Sequence, residues 1–131
     1  MNRILLMILL LAFSLNSCND KQTDFTTIEG TWRCQEYNPL SGQRVYLVDI
    51  ERSNKDTTQY LISNFYNVDF NEFVFAYRKE LKLTIPQQAI VSVIVKSGTG
   101  TISEDLLGID FDYIVLDGAS EIKVHAIYTR P

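Results

Sequence analysis

The chain has 131 residues, 46% of them hydrophobic, and a net charge of −4 from 12 Lys and Arg against 16 Asp and Glu. That length supports a single domain with one core. The acidic balance, with no basic run anywhere, argues against a nucleic-acid partner, and two cysteines are too few for a disulfide framework.

Met1-Asn2-Arg3, the apolar run 4–13 and then Leu15-Asn16-Ser17-Cys18 stand in the order of a secretory signal. The apolar run is about half of the roughly 20 residues that cross a bilayer as a helix, so removal is expected rather than retention as an anchor. Leu at the third place before a cysteine, with small Ser17 directly before it, resembles the lipobox of bacterial lipoproteins. That resemblance implies cleavage before Cys18 and acylation of its thiol. The alternative is an ordinary signal peptide cut near Ser17, which leaves Cys18 free. Each buried methylene contributes about 0.8 kcal/mol, so two or more acyl chains make an anchor that does not dissociate on a biological timescale. The same resemblance implies the Gram-negative cell envelope and its outer membrane, with the protein facing the periplasm or the surface.

Residues 1–17 are therefore expected to be a leader, 18–28 a polar tether without apolar periodicity, and 29–131 the domain. With Cys18 acylated, Cys34 has no intrachain mate. Two residues after Trp32 on one strand face, it is expected to be a small buried apolar side chain rather than a redox group.

From residue 31 onward the sequence is a succession of β-rich runs separated by turn residues, with no long helical period. The first run, 31–37, ends at Asn38-Pro39-Leu40-Ser41-Gly42, which suits a hairpin loop. In the second, 43–52, Tyr46, Val48 and Ile50 alternate with Leu47, Asp49 and Glu51. A third covers 57–63 and breaks at Asn64-Phe65-Tyr66-Asn67. A fourth, 70–78, carries Phe73, Phe75 and Tyr77 on one side. The fifth, 81–85, stops at Pro86, which cannot donate to a ladder, and the sixth is 88–95. Lys96-Ser97-Gly98-Thr99-Gly100 reads as a turn; it lacks the strand, helix and Gly-Lys-Ser/Thr ending of a phosphate-binding loop. The seventh run, 107–116, alternates Ile109, Phe111 and Tyr113 with Asp110 and Asp112. Asp117-Gly118 turns the chain into the eighth, 121–130, where Ile122, Val124, Ala126 and Tyr128 oppose Lys123, His125 and Thr129.

Eight half-apolar runs with short connections predict an all-β domain, an eight-stranded antiparallel up-and-down barrel in which closure removes exposed edges. A two-sheet β-sandwich is the alternative. Gly30-Thr31-Trp32 resembles the Gly-x-Trp that opens the first strand of lipocalin-like proteins. There the Trp closes one end of the barrel beneath a basic residue late in the last strand, a place Arg130 would take. The whole mature chain is similar to small lipocalin-like lipoproteins of Gram-negative bacteria. The shared features are that opening, Ile62 to Asn67, Ile85-Pro86-Gln87-Gln88, Ser97 to Ile102 and the closing Tyr128-Thr129-Arg130. The resemblance implies a fold and an anchored location but no activity.

The residues themselves offer little catalytic chemistry. His125, the single histidine, falls on a polar strand face without cysteine or carboxylate at metal-ligand spacing, and so no metal or cofactor is expected. Asp110 and Asp112 are expected to pair across strands with Lys123. No nucleophile elbow or Ser-His-Asp arrangement is present, which predicts a protein that is not an enzyme. Tyr46, Phe73, Phe75, Tyr77, Phe111, Tyr113 and Tyr128 are the aromatic candidates for either a closed core or an apolar ligand pocket. The leading expectation is thus a lipid-anchored binding module for a small apolar ligand or an envelope component. The other is an interaction or inhibitor domain with a solid barrel that presents Phe65 and Tyr66 on an exposed loop.

Overall fold

The structure, a computed structural model, describes residues 25–131. Cys18 and the leader lie outside the described residues. The described strands are β1 Gly30–Asn38, β2 Gly42–Arg52, β3 Gln59–Ser63, β4 Phe73–Lys79, β5 Lys82–Ile85, β6 Gln88–Ile90, β7 Val93–Ile102, β8 Gly108–Asp117 and β9 Ser120–Thr129. Strands β1 to β5 follow one another round the wall, β5 pairs with β7, and β9 returns to β1. The result is a closed antiparallel barrel of eight strands with lipocalin-like architecture, plus β6 as an extra strand on β7. Pairing of Lys82 with Thr101 through Ile85 with Gly98 is the closure that a sandwich would lack.

Closure on this path differs from the sequence reading at one place. Lys96 to Gly100 is not a turn but the middle of β7, and the chain turns earlier, between Ile90 and Val93. The reason is steric. Gly98 and Gly100 face inward, and a Cβ on Gly100 would stand 2.6 Å from a ring carbon of Phe111. Gly100 lets the ring of Phe111 lie across the strand, and Gly98 leaves room for the Tyr113 Cβ and the Ile85 side chain, close approaches that mark a glycine inside a strand. A bulge between Val95 and Ser97 takes up Lys96.

A second difference concerns phase. Phe73, Phe75 and Tyr77 point outward and are 42%, 38% and 42% exposed, whereas Val74 and Ala76 fill the inside of β4. Small residues are required there because the interior already holds Trp32, Tyr60, Phe65, Phe111, Tyr113 and Tyr128, all buried. At the top of β4, where Pro86 has ended β5, the Gln88 side chain stands in for the missing strand. Its Oε1 accepts from the Phe75 N–H at 2.7 Å and its Nε2 donates to the Phe75 carbonyl at 3.0 Å.

The barrel has two unlike ends. At one, Trp32 lies under the guanidinium of Arg130, 3.9 Å from the ring centroid, with Phe25 on the other side at 4.2 Å. Arg130 also donates to the carbonyls of Thr27, Glu29 and Leu106, and Trp32 donates to the carbonyl of Ile28. The opposite end carries the β1–β2 and β8–β9 hairpins and the segment between β3 and β4.

Gly100→Ala should lower the free energy of unfolding by about 1–3 kcal/mol, the range for overpacking a filled core. In a urea-denaturation cycle, adding Phe111→Leu should make the double variant more stable than the sum of the single effects predicts.

Candidate functional site

Three places carry chemistry that local β structure does not need: a buried polar cluster inside the hairpin end, a depression on the outside of β5 to β9, and an aromatic strip on the outside of β4.

The cluster is built by strand parity. Glu36 and Asn38 share the inward face of β1 with Trp32 and Cys34, and Arg44 and Tyr46 share that of β2 with Val48 and Ile50. The hairpin register then sets Glu36 against Arg44 and Cys34 against Tyr46. Glu36 is fully buried. Its Oε1 accepts from Arg44 Nη2 at 2.7 Å and Nε at 3.1 Å, and from Asn38 Nδ2 at 3.2 Å. Its Oε2 accepts from the hydroxyls of Tyr46 and Tyr113. Asn38 Nδ2 also donates to Tyr66 Oη at 3.0 Å, and Tyr66 Oη donates to Asp117 at 3.3 Å. Among the described residues no buried side-chain polar atom is left without a partner.

Burial pushes the hydroxyls of Tyr46 and Tyr113 well above the ordinary tyrosine range, so both remain neutral donors. Burial works against the Arg44 charge, but the hydrogen bonds and field of Glu36 outweigh it and raise the guanidinium. Cys34, below this cluster, is pushed up to about 12 by burial. A thiol so held is not a nucleophile.

Phe65 and Tyr66 are not on an exposed loop. Both are buried, as is Asn64, and the short 3-10 turn Phe65–Asn67 reaches into the mouth of the barrel as a plug. Phe65 packs on Tyr113 at a centroid distance of 4.6 Å and edge-on to Phe111 at 6.5 Å. Asn64, Tyr66 and Asn67 all have positive φ, a costly conformation for Tyr66 in particular. Arg44 Nη2 donates to the Tyr66 carbonyl at 3.2 Å and Asn64 Nδ2 to the Leu47 carbonyl at 2.8 Å, and these bonds hold the plug in place.

Of the aromatic pocket candidates, the structure brings Tyr46, Phe111, Tyr113 and Tyr128 together inside the barrel. Phe111 and Tyr128 pack with their rings tilted by 54° and their centroids 4.6 Å apart. Phe73, Phe75 and Tyr77 form instead an outer strip, with Leu61 beside Phe75 on β3. Cross-strand pairing of Asp110 and Asp112 with Lys123 is also corrected by register. Lys123 lies opposite Ile114, Asp110 opposite Ile127, and Asp112 opposite His125, whose Nδ1 is 2.8 Å from its carboxylate. Among the described residues no group of three His, Cys, Asp or Glu gathers to hold a metal. The depression on this wall has a volume of about 500 Å³ and is lined on β5 and β7 by Thr84, Ser97 and Thr99 and on β8 and β9 by Asp112, Ile114, Lys123 and His125.

No protein-family model matches the chain, and a search of curated proteins returns no match.

The Glu36 cluster was missed by the sequence reading, although charged residues at inward parity on both sides of one hairpin were its visible signal. Glu36→Ala strands Arg44 and should cost about 3–5 kcal/mol in thermal or urea unfolding. Replacing both Glu36 and Arg44 with Leu should recover a large part of that loss. Cys34 should resist iodoacetamide at pH 8 in the folded protein. Its alkylation rate should follow global unfolding as urea is raised.

Proposed function

We propose that the protein is a lipid-anchored envelope protein of non-enzymatic function that works through the outside of a solid lipocalin-like barrel. The observation that carries this reading is the plug: Phe65 occupies the space inside the mouth that an apolar ligand would need. Interior ligand carriage is disfavoured by the same packing, because the tyrosines that would line a pocket are committed to Glu36 and to one another.

What the outside offers is the strip of Phe73, Phe75 and Tyr77, with Leu61 beside Phe75 on β3 and Glu51 next to Leu61 on β2. Aromatic side chains dominate interface energetics, and a row of them left in water on one strand is the kind of surface that a protein partner covers. Phe73 and Phe75 are already set edge to face at 5.4 Å, so little side-chain order remains to be lost on docking. Anchoring rests on the sequence from Arg3 to Cys18 and places the barrel on the outer membrane through acyl chains on Cys18.

Two measurements test the two halves separately. The mass of the Cys18 peptide after lipid extraction should carry the acyl chains, and Cys18→Ala should move the protein from the detergent phase to the aqueous phase. An unmodified, water-soluble native chain overturns the anchoring. In intact cells, chemical cross-linking should give a discrete adduct that Phe73→Ser with Phe75→Ser abolishes and Gln43→Ser retains. An adduct pattern indifferent to the aromatic strip overturns the docking face.

A further inference from the structure

The depression on the outer wall of β5, β7, β8 and β9 is lined by members of a single row of residues in direct register. Tyr77 stands opposite Thr84, Thr84 opposite Thr99, Thr99 opposite Asp112, Asp112 opposite His125, and His125 opposite Tyr37. At about 4.8 Å per strand, Thr84 to His125 spans about 14 Å. Elsewhere on the outer wall Thr31 is spent on Asp49 and Lys96 on Glu121. Within the row Tyr77 accepts from Gln59, while Thr84 and Thr99 make no side-chain hydrogen bond among the described residues. Asp112 uses one carboxylate oxygen on His125 Nδ1, which leaves its second oxygen and His125 Nε2 directed away from that bond. The ring of Tyr37 lies nearly parallel to the imidazole, at 6.1 Å and 26°, and extends it into an aromatic plate. A second depression of about 380 Å³, lined by Tyr37, Asn38, Gln43, Lys123 and His125, continues the first across β9.

We propose that this trough binds a short saccharide, with the apolar face of a sugar ring on the His125 and Tyr37 plate and its hydroxyls on Asp112, Thr99 and Thr84. The chemistry selects that class. A combined volume of several hundred cubic ångströms suits a small ligand. The Thr84 and Thr99 hydroxyls in line with the Asp112 carboxylate match a ligand that presents hydroxyls along one edge. A phosphate-bearing ligand would meet the Asp112 carboxylate beside the single ammonium of Lys123. An apolar peptide anchor would leave the polar side chains of Thr84, Ser97, Thr99, Asp112, Lys123 and His125 in the lining without partners. The proposed sugar contacts need no lipid and meet the aromatic strip on β4 only where Tyr77 stands beside Thr84, so their failure would leave the anchored-module reading standing.

The test is titration of the detergent-solubilised protein with maltotriose, cellotriose and chitotriose, followed by amide chemical shifts. At least one trisaccharide should give saturable shifts at Thr99, Asp112 and His125 with a dissociation constant of millimolar or tighter. Asp112→Ala and His125→Ala should each weaken it tenfold or more, and Phe75→Ser should leave it unchanged; unaltered melting temperatures would show that all three variants fold. Absence of saturable shifts with all three sugars, shifts indifferent to Asp112 and His125, or displacement of the sugar by inorganic phosphate would each overturn the proposal.

Discussion

Glu36 carries a negative charge into the barrel where no water reaches it, and a charge is tolerated there only if other groups replace its hydration. Two nitrogens of Arg44, the amide of Asn38 and the hydroxyls of Tyr46 and Tyr113 do so. Each of those donors then has a position imposed on it. Arg44, fixed by Glu36, donates to the Tyr66 carbonyl, and Asn38, fixed likewise, donates to the Tyr66 hydroxyl. A left-handed tyrosine costs of order 1–3 kcal/mol, and these bonds offset that cost. Phe65 is delivered to the core because its neighbour is held. The chain of dependence runs from one carboxylate to the plug and from the plug to the filled interior.

The opposite end solves a different problem with a similar device. Arg130 has two aromatic faces against it and three backbone carbonyls around it, without a carboxylate among those partners. Burial lowers its guanidinium, and the rings of Trp32 and Phe25 contribute about 0.5–2 kcal/mol each by the usual cation–π magnitude. The geometric effect is larger than the energetic one. A single side chain clasps the segment before β1, the loop before β8 and the first strand, so the two ends of the described chain are tied together at one rim. The chain thus enters the barrel at the rim opposite Glu36.

Much of this was legible in the sequence, and what was not follows a pattern. Alternation located the strands because one face of each is apolar, and Gly30-Thr31-Trp32 with Arg130 marked the clasped end. Local alternation could not give the phase of β4. Taken alone, 73–79 is better buried with Phe73, Phe75 and Tyr77 inside, and only the volume already taken by Tyr60, Phe65 and Phe111 reverses it. Gly98 and Gly100 misled for a related reason: a glycine reads as a turn until the ring that lies over it, from a strand about twelve residues on, is known. Phe65 and Tyr66 looked exposed because they sit between strands, and a plug cannot be distinguished from a loop tip without the hole that receives it.

The direction of those errors bears on function. Phe73, Phe75 and Tyr77 were expected on an inner face, in a closed core or a ligand pocket, and Phe65 and Tyr66 on an exposed loop; the fold moves the first three to the outer wall and the other two to the core. A lipocalin-like barrel with a vacant interior selects its ligand by the shape of that space. Here the space is consumed by Phe65 and the Glu36 cluster, which leaves the water-facing side chains as the surface open to a ligand or partner. Register is what makes such a wall capable of specificity. Because strands pair without shift from β5 to β9 along the Thr84 row, side chains distant in sequence stand about 4.8 Å apart in a fixed line. The line is rigid because the core behind it is full: Gly98 under Tyr113 and Gly100 under Phe111 leave β7 no freedom to move inward. A solid interior is in this sense the support for an ordered outer surface, and it links the buried carboxylate to the face on which a ligand or partner would be held.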